Sequence, residues 1–340
     1  MSRKTITLVA SSVLLSVVAL GGIAFGERED VAVRATYMRP VDISYPPDNP
    51  FTTTKHDLGK QLFFDTSFSG SRTRSCATCH SPTLSWGDGL ARAHGEGKSP
   101  LALRSPTLLD VAWSFRLGWD GKFRTLESVA FTPITAPGNM NVPEATLIAR
   151  LQAEPAYPPR FAAAVEDGQI NRRNIELALA TFERSIVSSK APFDRWIEGD
   201  EAAIDEAAKR GFGLFNGKAH CAACHSGWNF TDGSFHDIGT AAGDDIGRGR
   251  FFPTSEKLKY AFKTPTLRDV TRRAPYMHNG SIATLQEVID LYDKGGVDRS
   301  SRSELIRSLG LTQVEKHDLI TFLATLSGAY EEDNRAALAK

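Results

Sequence analysis

The sequence predicts an all-α protein with long loops, divided into two domains. Apolar residues recur at helical spacing in several segments, and no long run alternates between apolar and polar residues as strands do. The length of 340 residues is enough for two domains of ordinary size, each with its own core. The pattern C-x-x-C-H also occurs twice, once in each half of the chain. We therefore expect each domain to carry one copy of this pattern.

Most helices are predicted from apolar spacing, in chain order. A short helix is expected at about 56–64, before the first C-x-x-C-H, and residues 104–110 are expected to form a turn into a helix. Another helix starts near Thr125, and the prolines and glycine of residues 132–143 predict a loop. The remaining helices are expected at about 144–153, 171–187, 201–215, 284–293 and 312–326.

A second pattern is also present in both halves. Arg104-Ser-Pro-Thr-Leu-Leu-Asp110 and Lys263-Thr-Pro-Thr-Leu-Arg-Asp269 share the core x-[ST]-P-T-L-x-D, and each follows a C-x-x-C-H segment. This repetition suggests that the two domains descend from one duplicated unit.

The two C-x-x-C-H segments point to covalently bound haem. They contain all four cysteines, in Cys76-Ala-Thr-Cys79-His80 and Cys221-Ala-Ala-Cys224-His225. Two thiols at this spacing can add to the vinyl groups of a haem, and the adjacent histidine can bind the iron. The sequence thus predicts two cytochrome c-like domains, each with one covalent haem c. Zinc would require cysteine pairs much closer together in the chain, and a thioredoxin-like pair does not explain His80 or His225.

The N-terminal segment and the net charge of the chain indicate where the protein is located and which partners it can have. Residues 1–26 form a basic and then apolar segment, which predicts an export signal or, as the alternative, an uncleaved membrane anchor. Residues 27–55 are expected to be an extended lead-in, followed by domains at 56–188 and 189–340. Lys plus Arg and Asp plus Glu number 40 each, so charge gives no reason to expect nucleic acid as a partner. We expect a periplasmic protein.

The order of motifs resembles the bacterial di-haem cytochrome c peroxidase and MauG family over roughly residues 56–328. The matching motifs are the two C-x-x-C-H segments, Trp119-Asp-Gly, Pro133-Ile-Thr-Ala-Pro, Ala191-Pro-Phe-Asp-Arg-Trp, Phe235-His-Asp-Ile-Gly, Thr264-Pro-Thr-Leu-Arg-Asp-Val and Ala274-Pro-Tyr-Met-His-Asn-Gly. The resemblance implies a peroxide-reactive haem in the first domain and a second haem that shares its oxidising equivalents.

The resemblance also assigns residues around the second haem. Its distal ligand is expected to be Tyr292, where peroxidases carry methionine and MauG carries tyrosine, with Met277 and His278 as alternatives. A phenolate favours higher oxidation states of iron than a thioether does. Trp119 is expected to lie between the haems and to relay electrons.

The first haem's pocket departs from the family. Val129 and Asn139 stand where the family has glutamine and glutamate, while Pro133 is retained. Asn139 can hydrogen-bond peroxide but cannot move its proton. Glu144 could replace the missing acid only in a reshaped loop. His94, close to Glu96, is a candidate distal ligand of this haem and is otherwise a solvated loop histidine.

Calcium and the overall activity follow from the same resemblance. The family binds calcium between its domains, and the carbonyls of Arg273 and Pro275 are candidate ligands here, although Arg104 replaces the family's asparagine. The leading hypothesis is a MauG-type enzyme in which hydrogen peroxide forms a high-valent di-haem state that oxidises a partner protein or other donor by long-range electron transfer. The alternatives are a peroxidase supplied by a small cytochrome and a non-catalytic electron carrier or sensor.

Overall fold

Helices and loops make up almost the whole of the described chain. The computed structural model describes residues 32–97 and 99–329. Its helices are α1 (Thr53–Phe64), α2 (Cys76–Cys79), α3 (Leu126–Thr135), α4 (Glu144–Ala153), α5 (Tyr157–Ala164), α6 (Arg172–Arg184), α7 (Pro192–Ile197), α8 (Glu206–Asn216), α9 (Leu285–Lys294) and α10 (Gln313–Ala324). Strands β1 (Phe235–His236) and β2 (Phe262–Lys263) form a short antiparallel pair. The predicted all-α class is confirmed.

The predicted export segment, residues 1–26, lies outside the described residues. Within residues 32–97 and 99–329, no helix is long and apolar enough to cross a membrane.

Several helices begin where a polar side chain caps the first turn. The side chain of Thr52 accepts a hydrogen bond from the backbone N–H of Lys55 at the start of α1. Helices α3, α6, α8, α9 and α10 start in the same way, after Thr125, Asn171, Asp205, Thr284 and Thr312. These residues satisfy backbone donors that have no partner within the helix. Local sequence therefore fixes where these helices begin.

Two predictions about the first domain were wrong. Residues 104–110 lead into a single 3₁₀ turn, Val111–Trp113, because Asp110 adopts a left-handed conformation with φ of 58°. The buried Asp110 carboxylate accepts a hydrogen bond from the backbone N–H of Ser188, a contact that the local sequence does not reveal. The loop predicted over 132–143 begins only after Thr135, since α3 contains Pro133 in its last turn. A proline there removes a single helical hydrogen bond.

The two largest clusters of buried apolar side chains form the cores. One involves α1 and α3–α6, and the other involves α7–α10 together with Tyr37. In the first core, α1 meets α6 at Gly59, where a Cβ atom would lie 1.9 Å from the Ala178 carbonyl oxygen. In the second core, α8 meets α10 at Gly211, where a Cβ atom would lie 2.1 Å from the Asp318 carbonyl oxygen. Only glycine permits these close approaches, so the two cores share one helix-crossing geometry.

The duplication suggested by the sequence extends to backbone conformation. Asp110 and Asp269 are both left-handed, and each precedes a 3₁₀ turn. Each turn is followed by an antiparallel bridge, then a threonine N-cap, then a helix that starts with leucine: Leu117 with Phe123, Thr125 and α3 in the first half, and Tyr276 with Ile282, Thr284 and α9 in the second. Equivalent positions of the two halves can therefore be paired residue by residue.

Candidate functional site

Each C-x-x-C-H segment forms one tight turn that presents its side chains to a cavity. Cys76–Cys79 is the helical turn α2, and Cys221–Ala223 is a 3₁₀ turn. All four cysteines are partly buried, and none of them forms a disulfide bond. The cavity is continuous, has a volume of ≈ 670 Å³, and is lined by residues of both segments. The structure thus brings together the two predicted attachment sites, which are far apart in sequence.

Hydrogen bonds orient both histidines of these segments. His80 donates from Nδ1 to the carbonyl oxygen of Trp86 at 3.2 Å, and His225 donates from Nδ1 to the carbonyl oxygen of Phe230 at 2.9 Å. A carbonyl oxygen can only accept, so Nδ1 carries the proton and Nε2 keeps its lone pair. Burial lowers the pKa of both histidines, which keeps the rings neutral. Both imidazoles are therefore prepared to bind a metal through Nε2.

Three cations line the cavity without a carboxylate partner among the described residues. The Nε atoms of Arg104 and Arg273 are shielded from solvent and make no hydrogen bond. Burial alone lowers the pKa of Lys263 to about 8, and burial is the main cause that lowers the pKa of Arg273 to about 10. Unpaired cations in such surroundings are unfavourable unless an anion joins them. The propionate groups of haem would supply such anions, so the donor set of this cavity fits haem.

Trp119 lies where the two halves of the chain meet. Its indole Nε1 donates to the Arg104 carbonyl oxygen at 3.0 Å, and its own carbonyl accepts from the backbone N–H of Lys263 at 2.8 Å. The equivalent pair, Arg104 and His278, forms the matching hydrogen bond from the N–H of Arg104 to the carbonyl oxygen of His278 at 3.0 Å. Each half therefore binds the other through the same backbone positions, and Trp119 stands at this junction beside the cavity.

The residues predicted for the first haem's pocket also reach the cavity. Val129, Pro133 and Asn139 all line it, the first two from α3 and the third from the loop after that helix. Glu144 does not lie there, since its carboxylate forms an ion pair with Arg172 at 3.2 Å on the protein surface. Within the described part of this pocket, Asn139 thus stands where an acid–base group was expected, and Glu144 does not replace it.

Comparisons with known proteins agree with this site. The family model described as di-haem cytochrome c peroxidase matches residues 53–202. The chain is 49% identical to the methylamine utilization protein MauG of Methylorubrum extorquens, over 88% of this chain and 86% of that protein. It is 47% identical to MauG of Methylophilus methylotrophus, over 87% of this chain and 89% of that protein. The chain belongs to the di-haem cytochrome c peroxidase and MauG family. Haem c is accordingly the cofactor class of this chain.

Peroxidases and solved structures of the family are similar as well. Cytochrome-c peroxidase IdrP1 of Pseudomonas sp. (strain SCT) is 35% identical over 96% of this chain and 93% of that protein. A crystal structure of a MauG-like protein associated with microbial copper homeostasis superimposes with a TM-score of 0.79, at 30% identity, and covers 86% of this chain and 93% of that chain. The diheme peroxidase BthA from Burkholderia thailandensis, at 21% identity and a TM-score of 0.72 over 86% of this chain and 93% of that chain, shows the same fold.

Tyr292 is the residue that the resemblance predicts as the distal ligand of the second haem. Its side chain lines the cavity, and its hydroxyl makes no hydrogen bond within residues 32–97 and 99–329. Burial raises the pKa of Tyr292, so the phenol ionises only when a cation such as ferric iron joins it. The alternative His278 is already engaged, since Nε2 lies 2.7 Å from an Asp245 oxygen and the ring stacks on Phe262. Met277 also lines the cavity.

The residues predicted for the family's calcium site do not fit that ion. Arg104 donates from Nη1 to the carbonyl oxygen of Arg273 at 3.0 Å, which is the oxygen that calcium would need. A guanidinium beside a divalent cation is unfavourable. No step of the chemistry below depends on calcium.

Two loop residues and one missed residue complete the site. His94 is exposed at the edge of the cavity, where its backbone carbonyl accepts from Arg74 at 2.9 Å. The Glu96 carboxylate accepts from Ser71 at 2.6 Å. Glu183, which was not predicted, lines the cavity from α6 and is 7% exposed. The sequence signal for it was its place four residues after Leu179, on the apolar face of the helix.

Proposed function

We propose that this protein is a peroxide-dependent di-haem oxidoreductase of the MauG type, exported to the periplasm by residues 1–26. Thioether bonds to Cys76, Cys79, Cys221 and Cys224 would hold the haems, with His80 and His225 as proximal ligands and 56–188 and 189–340 as the two domains. When bound, the haems supply the redox chemistry, in which hydrogen peroxide gains two electrons from a donor.

In the first pocket, the chain's own residues bind peroxide more than they move its protons. Pro133 and Val129 present apolar surface from α3. The Asn139 amide can donate a hydrogen bond to a peroxide oxygen, yet it cannot accept and return a proton at neutral pH. We therefore expect slow proton-dependent cleavage compared with a relative that carries a glutamate here.

The single observation that carries the MauG assignment is Tyr292 in the cavity with no hydrogen bond from its hydroxyl among the described residues. A phenol in such surroundings lacks a polar partner, and binding to ferric iron would provide one. Tyr292 then acts as an anionic ligand that stabilises oxidised iron. A methionine at this place would favour reduced iron instead.

Trp119 connects the two haems in this proposal. Its hydrogen bonds to Arg104 and Lys263 hold the indole at the junction of the two halves. An aromatic ring in this position shortens the distance that an electron must cross. Because the oxidising equivalents travel through the protein, the donor need not enter the cavity. The donor is therefore a tyrosine- or tryptophan-bearing protein or a small cytochrome that docks on the surface.

The experiment is a titration of the fully oxidised holoprotein with one equivalent of hydrogen peroxide, followed by visible and near-infrared absorption. The MauG assignment is supported by an oxidised form that persists for minutes and that a reductant converts back to the starting form. Rapid turnover with a reduced small cytochrome and no persistent form would assign a cytochrome c peroxidase instead. No spectral response would leave an electron carrier and reject both enzymes.

A further inference from the structure

A buried carboxyl group in the cavity takes no part in the function proposed above. Glu183 lies near the end of α6, and 7% of its surface is exposed. Its side chain lines the cavity, and Oε2 has no hydrogen-bond partner. It also interacts electrostatically with Cys76, so it lies on the side of the first attachment segment. A carboxyl kept away from both water and protein donors needs a specific reason to be there.

The Arg184 cation next to Glu183 is already paired with another carboxylate. Arg184 donates to both carboxylate oxygens of Glu127, at 2.7 and 3.1 Å, and Asn49 donates to the same carboxylate at 2.9 Å. Lys55 of α1 lies near this pair and is buried as well. The Cys76 sulfur would become a neutral thioether on haem attachment. None of these side chains donates a hydrogen bond to Glu183. The protonation state of Glu183 therefore depends on the charges of the groups in the cavity.

The second domain shows what this position looks like without a carboxyl group. The helix crossings at Gly59 and Gly211 bring Phe182 and Phe322 to the same place in the two cores. Glu183 and Leu323 are the residues that follow them, and both side chains line the cavity. The duplicated fold therefore packs leucine well at this position. Glutamate beside the first haem is a specific difference between the domains.

Burial raises the pKa of Glu183 to about 8, the Arg184 cation opposes this shift, and the Glu127 carboxylate adds to it. At mildly alkaline pH a large fraction of the Glu183 carboxyl is therefore ionised and can still accept a proton. A nearby iron centre that loses positive charge on reduction makes the carboxylate less favourable still. Gain of an electron and gain of a proton should therefore occur together.

We propose that, at mildly alkaline pH, Glu183 takes up a proton from solvent when the first haem gains an electron, and releases it when that electron leaves. The electron comes from the reductant, and the proton forms the O–H bond of the Glu183 carboxyl, so charge in the cavity is unchanged. This rests on the proposed attachment of haem at Cys76 and Cys79. Reduction of peroxide to water consumes two protons with its two electrons, and Asn139 cannot hold one. Glu183 supplies a place for one of them.

The test is spectroelectrochemical titration of the holoprotein from about pH 6 to 10, around the ordinary range of such a shifted group. In the unaltered protein, the reduction equilibrium of the first haem should become about tenfold less favourable across this range, which corresponds to about 59 mV for one electron. In Glu183→Gln this dependence should be lost. Glu183→Leu, which copies the second domain, should behave in the same way. Glu144→Gln, at the surface carboxylate paired with Arg172, should retain the full dependence.

Two results would overturn the proposal. One is an equal pH dependence in Glu183→Gln and the unaltered protein. The other concerns the redox difference infrared spectrum of the unaltered protein. The proposal is overturned if this spectrum shows no carboxyl signal, or if its carboxyl signal persists in the Glu183 variants. Either result in a protein with two attached haems and a normal response to peroxide would leave the proposed function intact. If the unaltered protein did not respond to peroxide at all, the proposed function would be rejected instead.

Discussion

Replacing Arg104 with asparagine should allow the protein to bind a calcium ion, which the unaltered protein should not bind. Arg104 Nη1 lies 3.0 Å from the Arg273 carbonyl oxygen. Calcium would lie about 2.4 Å from that oxygen, so ion and guanidinium would be at most roughly 5.4 Å apart. With an effective dielectric constant of about 20, a divalent and a single positive charge at that distance repel by roughly 6 kcal/mol. This corresponds to about four orders of magnitude in calcium affinity.

The assay is the calcium content per chain of protein dialysed against a weak chelator, followed by thermal unfolding with added calcium or magnesium. Arg104→Asn should retain calcium and should be stabilised by about 2.7 kcal/mol at a free calcium concentration 100 times its Kd. Arg104→Met removes the charge without adding an oxygen ligand, so it should gain much less. One calcium per chain in the unaltered protein would refute this reasoning, and so would an Arg104→Asn variant that binds none.

Three further substitutions test other parts of the structure. Tyr292→Phe should leave both haems attached, as a pyridine haemochrome assay would show, but should abolish the persistent oxidised form; its survival would reject Tyr292 as a ligand. Asn139→Glu should raise the rate of reaction with peroxide by roughly 10²-fold or more, and stopped-flow rates equal to those of the unaltered protein would place the loop elsewhere. Arg184→Met leaves Glu127 buried without its partner and should lower the free energy of unfolding by about 3–5 kcal/mol. The hydrogen bonds from Arg184 help to hold the pKa of Glu127 below its usual value. The stabilisation lost in Arg184→Met should therefore be largest above the unfolded pKa of Glu127, and it should shrink as pH falls through the folded pKa. A difference in unfolding free energy that grows toward low pH would contradict this.

Most helices and the haem cofactor were predictable because their signals are local. Both ends of α4 and the end of α1 lie where apolar spacing over one or two turns predicted them. Six of the helices begin at a capping side chain. Helices α5 and α7 were missed, although each has proline in its first turn, a known mark of helix starts. The C-x-x-C-H segments need no distant partner to be recognised.

The remaining features depend on contacts between distant parts of the chain. The turn at Asp110 follows from its hydrogen bond with Ser188. The Arg273 carbonyl oxygen, a candidate calcium ligand, instead accepts a hydrogen bond from the Arg104 side chain. Nothing in the neighbouring residues indicates either contact. Glu183 is an intermediate case, because helical spacing places it on the buried face, whereas only the folded chain shows that this face borders the cavity.

The pairing of the two halves explains how one duplicated unit can build two unlike haem sites. Helices α3 and α9 both start with leucine after a threonine cap, and their eighth residues are Pro133 and Tyr292. Proline offers no side-chain atom to a metal, whereas tyrosine offers an oxygen, so under the proposed function the same backbone position would leave one iron open and bind the other. The pair of Glu183 and Leu323 differs in a second way, since only one of these side chains can carry charge. Because the reciprocal hydrogen bonds at Arg104 and Lys263 join equivalent backbone positions of the two halves, single side chains such as these can make the two sites different without any change at this junction.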